Sequence, residues 1–206
     1  SKLEAGFARA AMGEGWLAEV AEAFEGIKAG LDETGDVDLG DYVRALERIP
    51  SIFDFLGSVF VFAKKDLSEK IEHLKANADG RGTVREAIRA DVEAGRELAG
   101  NTKTSPEAVS RPLHRVTNGL KFLNLLLGDM LREGNDDHLR VSAKRAFSGS
   151  IEYYLAWAVK KAVAAGLYLL PSRDAFLTRI GETEETARGP AERVVAATTP
   201  VLDHVY

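Results

Sequence analysis

Apolar residues recur along the chain at spacings of three and four, and no stretch sustains an apolar–polar alternation. That pattern predicts helices and no sheet. Ala, Leu, Glu, Lys and Arg dominate, and all are good helix formers. The first predicted helix runs from Lys2 to about Gly30, interrupted near Gly13 and Gly15, with a Gly/Asp/Thr loop from Gly30 to Asp38. Asp38 is the N-cap of a helix over Leu39 to Ile49, which Pro50 breaks or kinks. A longer helix follows from Ser51 to about Ala76, then a turn from Asn77 to Gly82. Thr83 with Glu86 three residues on matches a capping box, opening a helix that ends near Gly100. Ser105-Pro106-Glu107 is a start signal with Pro at the first helical position, and its helix reaches about Arg132. After a loop at Gly134 to Asp137, a long helix runs from about Leu139 to Leu170, bent at Ser148-Gly149-Ser150 and ended by Pro171. A short helix covers Arg173 to Ile180, and a last one starts near Thr183 and is disturbed by Pro200.

About eight helices without a repeat, a low-complexity tract or a linker predict one all-α domain over residues 1–206. That is too many for a simple four-helix bundle, and a two-layer helical sandwich is the natural packing.

Two of these helices depart from the usual core pattern. At 100° per residue, Leu56, Val59, Phe60, Ala63, Leu67, Ile71 and Leu74 form one stripe, yet Lys70 falls inside it and Asp66 at its edge. A charge in an apolar stripe is costly unless paired. The plain reading is an i, i+4 Asp–Lys pair on a solvated shoulder. The helix from Pro106 to Arg132 carries an ordinary core stripe of Val109, Leu113, Val116, Leu120, Leu123, Leu127 and Met130. Its opposite face carries Phe122, Leu125 and Leu126 in the second half, but Arg111, Arg115 and Asn118 in the first. A helix apolar on both sides is buried between layers. A basic start running into an apolar stretch suits a ligand with a charged head and a greasy tail; the plain alternative is a central helix whose polar end meets solvent. Pro112 removes a backbone donor between the two arginines and is a candidate kink.

Arg111 and Arg115 emerge on adjacent turns of one face. Two guanidinium forks, with an ammonium from Lys70, could clamp a phosphate, since Arg binds phosphate bidentately and Lys as a point charge. A phosphate monoester carries about −1.5 to −2 charges near neutral pH, which two or three cations neutralise.

Composition narrows the field. With 27 Lys and Arg against 32 Asp and Glu the net charge is −5, which argues against bulk nucleic-acid binding. The absence of cysteine excludes a disulfide framework, a thiolate metal site and a Cys nucleophile. The longest uncharged run, Ala162 to Ser172, has 11 residues, against about 20 for a membrane span. No nucleophile elbow, glycine-rich phosphate loop or metal-ligand spacing is present. The Glu69/Glu72 and Glu182/Glu184/Glu185 groups read as solvated helix faces, and Glu72-His73 lacks the second His of a zinc helix.

Three stretches together resemble the glycolipid transfer protein superfamily, and within it the ceramide-1-phosphate transfer branch with its plant accelerated-cell-death relatives. They are Phe55 to Lys70 (FLGSVFVFAKKDLSEK), Arg111 to Leu120 (RPLHRVTNGL), and Trp157 to Arg173 (WAVKKAVAAGLYLLPSR), and the resemblance runs from about Asp38 to the C-terminus. It implies a two-layer helical sandwich that holds one sphingolipid, its headgroup at a surface site and its chains between the layers. Asp66 then accepts a hydrogen bond from the lipid amide. Lys70 stands where sugar-binding members have Asn, and Arg115 where they stack a Trp, with Arg111 one turn earlier. This set favours a phosphorylated headgroup over a sugar. The family also carries a His two residues before the Trp that aligns with Trp157, donating to the amide carbonyl. This chain has Leu155 there, so one amide contact is missing; Tyr153 or Tyr154 offers a hydroxyl nearby at a different helical angle.

The reading is therefore a non-enzymatic carrier of a phosphorylated sphingolipid. Asp66, Lys70, Arg111 and Arg115 form the headgroup site, and Phe55, Val59, Phe122, Leu126, Leu155 and Trp157 are candidate pocket walls. Ordinary core packing is the alternative for most of these, and a membrane-interface position is the alternative for Trp157. No cofactor, metal or nucleic acid is expected. The chain is expected to be monomeric and cytoplasmic, with transient membrane contact. Open alternatives are a non-transporting regulatory or protein-interaction module on the same fold, a carrier of another phospholipid, and an anion sensor that reads headgroups without holding chains.

Overall fold

The computed structural model describes residues 15–96, 105–130, 132 and 138–206. The described chain forms helices α1 (Trp16–Thr34), α2 (Leu39–Leu46), α3 (Ile52–Leu56), α4 (Val61–Ala78) and α5 (Val84–Glu93). These are followed by α6 (Ser110–Met130), α7 (Leu139–Ser150), α8 (Trp157–Gly166), α9 (Arg173–Arg179) and α10 (Glu184–Val205). Short 3-10 turns at Ile49–Ser51, Ser58–Phe60, Glu152–Tyr154 and Leu167–Leu169 join them.

The fold is all-α and two-layered, around one continuous apolar core. At its centre α6 packs against α4, α7 and α10, while α1 lies along α10. The core stripe of α6 is sealed: Val109, Leu113, Val116, Leu120, Leu123, Leu127 and Met130 are all buried, as are Phe122 and Leu126 on the opposite side. Burial on both faces is what a helix between two layers requires.

Local signals explain most helix ends. Asp38 caps α2 through a hydrogen bond from the Asp41 backbone N–H, and Thr83 and Glu86 form the reciprocal capping box of α5. Thr183 caps α10, and Ser172 caps α9.

Other boundaries differ from those read in the sequence. The first helix passes through Gly30 and stops at Gly35, whose φ of +76° ends it in the left-handed region. Five buried residues of α1 outweigh the cost of a mid-helix glycine. The part of that predicted helix before Gly15 lies outside the described residues, as does the loop at 134–137, whereas the helix opened by Thr83 ends at Glu93, short of the expected Gly100, with Gly95 at φ +64° just beyond it. The stretch from Ser51 to Ala76 is two helices, because Gly57 takes φ +116° and ψ 163°. Arg179 donates from Nη1 to the Phe55 carbonyl at 2.9 Å beside this break. The stretch from Leu139 to Leu170 is also divided: Leu155 and Ala156 are extended, with ψ of 146° and 149°.

Two prolines behave differently from expectation. Helix α6 begins at Ser110, so Pro112 sits in its first turn, where a missing N–H costs no intrahelical bond. Helix α10 continues through both Pro190 and Pro200. The hydroxyls of Thr198 and Thr199 donate to the carbonyls of Val194 and Val195 at 2.7 Å, and Asn124 Nδ2 donates to both hydroxyls from α6.

Candidate functional site

The break in the Leu139–Leu170 stretch turns Tyr154 and Leu155 toward α4 and α6, and a cavity of ≈ 310 Å³ opens between them. Its walls come from both sides of the Gly57 break (Phe53, Leu56, Phe60, Phe62, Ala63, Leu67), from α6 (Gly119, Phe122), and from the segment between Ala143 and Leu170. Nearly all of this lining is apolar. Polar groups gather at Asp66, Lys70, Arg115 and Tyr154. Asp66 and Lys70, one turn apart on α4, are ion-paired with Nζ 2.5 Å from Oδ1. The pair expected on a solvated shoulder is thus present, but on the edge of a hollow.

Arg115 enters from α6. Its guanidinium carbon lies 3.6 Å from the centroid of the Tyr154 ring. Its Nη1 is buried and has no hydrogen-bond partner among the described residues. Burial lowers the proton affinity of this guanidinium, and the charge of Arg111 pushes the same way; Tyr154, Tyr153 and Asp66 oppose them. The group remains a cation at any physiological pH. A buried cationic donor without a partner is costly on its own and is satisfied by an anion with acceptor oxygens.

Of the residues singled out in the sequence, the structure brings Asp66, Lys70, Arg115, Phe122 and Leu155 onto the cavity. Arg111, four residues before Arg115, does not line it, but its charge reaches Arg115. The remaining wall candidates are elsewhere. Leu126 is wholly buried in the core, and Val59 is packed against that core close to Gly166. Phe55 sits edge-on to Trp16, with ring centroids 5.3 Å apart. Trp157 is 73% exposed, so it is not a wall. It opens α8 immediately after extended Ala156, and Lys161 Nζ lies 5.7 Å from its ring. The walls in their stead are Phe53, Phe60, Phe147, Val159 and Val163. Phe60 belongs to the stripe that carries Lys70, but no sequence periodicity pointed to the other four, because they face a hollow made by two helix breaks.

Large apolar side chains are exposed on the segments that also line the hollow. Val61, Phe62, Trp157, Val159, Tyr168 and Leu169 are all exposed, and Phe62 and Val159 also line the cavity. Among the described residues no helix is long and apolar enough to cross a membrane, and no cluster of three or more His, Asp or Glu side chains could hold a metal ion.

The family model for glycolipid transfer protein (GLTP) matches residues 37–182, the span that contains every element of this cavity. The chain belongs to the glycolipid transfer protein family. Among its relatives, the ACD11 homolog protein of Arabidopsis thaliana is 29% identical over 196 residues, 92% of this chain and 82% of the relative. Ceramide-1-phosphate transfer protein of Danio rerio is 25% identical over 197 residues, 92% of this chain and 90% of the relative. The fold of the family is shared with solved structures. A mutant of Arabidopsis accelerated-cell-death 11 complexed with C12 ceramide-1-phosphate superposes with a TM-score of 0.83 at 22% identity, covering 93% of this chain and 94% of the other. Human ceramide-1-phosphate transfer protein in complex with 12:0 ceramide-1-phosphate superposes with a TM-score of 0.70 at 21% identity, covering 91% of this chain and 88% of the other.

Proposed function

We propose that this member of the glycolipid transfer protein family binds a phosphorylated sphingolipid of the ceramide-1-phosphate kind and moves it between membranes. The observation that carries the reading is the buried, unpartnered Nη1 of Arg115 at the polar end of an apolar cavity. Arg115 and Lys70 take the phosphate, with Arg111 adding charge from the next turn. Asp66 exchanges part of its pairing with Lys70 for the lipid amide N–H. The chains occupy the apolar hollow, where each buried methylene contributes about 0.8 kcal/mol. Most of the affinity therefore comes from the tail, and the cations select the head.

Two further features support transfer. The exposed Val61, Phe62, Trp157, Tyr168 and Leu169 lie on the same segments as the lining residues Phe62, Val159, Leu167 and Leu170, and offer apolar and aromatic side chains to set against a bilayer. The lipid moves down its own gradient, so no bond is made or broken and no nucleotide is consumed. The relatives named for ceramide-1-phosphate transfer agree with a phosphate head.

The test is native mass spectrometry and vesicle-to-vesicle transfer with ceramide-1-phosphate, a galactosylceramide and phosphatidic acid. The expected result is extraction and transfer of ceramide-1-phosphate above the sugar lipid, abolished by Arg115→Glu. Binding to vesicles without extraction, or uptake unaffected by Arg115→Glu, overturns the reading. Stronger uptake of phosphatidic acid than of ceramide-1-phosphate would reassign the lipid.

A further inference from the structure

Among the described residues no carboxylate is paired with the guanidinium of Arg115. Asp66, the acid that acts on it, is paired with Lys70 at 2.5 Å. What meets Arg115 instead is the flat face of Tyr154 at 3.6 Å, well within the range of a cation–π contact. The ring is itself braced. His114 lies 5.9 Å away and Tyr153 5.1 Å away, the latter edge-on at 84°. The Tyr153 hydroxyl and His114 Nε2 are hydrogen-bonded at 2.6 Å, and Asn118 Nδ2 donates to the same hydroxyl at 3.3 Å. So Tyr154 stands on a platform joined to α6 itself, and it also lines the cavity. Burial, opposed by Arg115, pushes its phenol up to about 12, so the ring stays neutral.

We propose that Tyr154 is the positioning residue for Arg115: its ring face holds the guanidinium toward the cavity with donors left open for an anion, and so sets the preference for a phosphorylated headgroup. A carboxylate in that place would neutralise Arg115 and compete with the lipid. An aromatic face orients the cation without occupying its donors. The function belongs to the ring and not to the hydroxyl, and it rests on the phosphate-site reading given above.

The test compares full-length wild type, Tyr154→Phe and Tyr154→Leu for uptake and transfer of fluorescent ceramide-1-phosphate and of the same ceramide without phosphate. Far-UV circular dichroism and melting temperature confirm folding, and Tyr154→Met serves as the aliphatic variant if leucine does not fold. Tyr154→Phe should keep the wild-type preference for the phosphorylated lipid. Tyr154→Leu should lower the ratio of phosphorylated to plain ceramide taken up by about three- to thirty-fold, whatever the absolute uptake of either lipid. Three results overturn the inference: an unchanged preference in Tyr154→Leu, an equal loss for both lipids, or a loss in Tyr154→Phe as large as in Tyr154→Leu. Wild type without any preference for the phosphorylated lipid overturns both this inference and the phosphate-site reading, which separates the two failures.

Discussion

Asp91 of α5 caps Ser110, the first residue of α6: one carboxylate oxygen accepts from both the backbone N–H and the hydroxyl of Ser110, at 2.9 and 2.7 Å. The same oxygen accepts from the Val109 N–H at 2.8 Å, and the other oxygen faces Arg81 at 3.1 Å and Arg96 at 3.3 Å. Asp91 is wholly buried, so this is a paired and fully engaged charge. It fixes the start of the helix that carries Arg111 and Arg115.

Asp91→Ala should destabilise the protein by about 3 kcal/mol or more, because it strands two backbone donors and two arginines. Chemical denaturation at neutral pH measures this. A loss under 1 kcal/mol would show that solvent takes over the cap.

The same carboxyl makes stability depend on acid. Burial raises the proton affinity of Asp91 most, but the bonds from Ser110 and Val109 and the charge of Arg81 outweigh it, so the carboxyl lies below its ordinary 3.8. The unfolded chain therefore takes up the proton first. The contribution of Asp91 is complete above pH 3.8 and is lost as pH falls from there through the lowered folded value. Between pH 5 and pH 3, wild type should lose more stability than Asp91→Asn. Parallel denaturation midpoints would refute the account.

Gly119 of α6 lines the cavity, and a Cβ there would lie 3.2 Å from Leu67 Cδ1. Gly119→Leu should fill the hollow and displace Leu67, reducing lipid uptake at least about ten-fold while the cation cluster remains, at a cost of about 1–3 kcal/mol in stability. Native mass spectrometry reads the uptake. Retained loading would mean that the chains lie elsewhere.

Leu155 lines the cavity, at the position where the resemblance to the family implies a histidine donor. Leu155→His should restore one hydrogen bond to an amide carbonyl. Uptake of ceramide-1-phosphate over phosphatidic acid, which lacks the amide, should rise about two- to ten-fold. A competition assay between the two lipids settles it; an unchanged ratio would show that the side chain at 155 does not reach the linkage.

Much of this molecule is legible in its sequence because the deciding interactions are local. The core stripe of α6 repeats at helical spacing, and the caps at Asp38 and Thr83 need only neighbours three residues away. The proximity of Asp66 to Lys70, and of Arg111 to Arg115, follows from one helical turn. The hollow is different. Its walls are assigned by two interruptions, one at Gly57 and one at Leu155-Ala156, where an unusual torsion or an extended pair is stabilised by packing from other helices. Helical angles carried across those interruptions misplace Val59 and Trp157, and they give no hint that Tyr154 meets Arg115. The continuation of α10 through Pro200 is likewise accompanied by contacts from another helix, Asn124 donating to the hydroxyls of Thr198 and Thr199.

The torsion at Gly57 has a bearing on cargo size. Phe53 and Leu56 come before it and Phe60 and Phe62 after it, and all four border one hollow. A φ of +116° is open to glycine and strained for every other residue. The width of the hollow is thus hinged on one residue without a side chain, and because the helix bearing Lys70 follows that joint, a sequence that shifted it by one position would carry the wall and the ammonium along together.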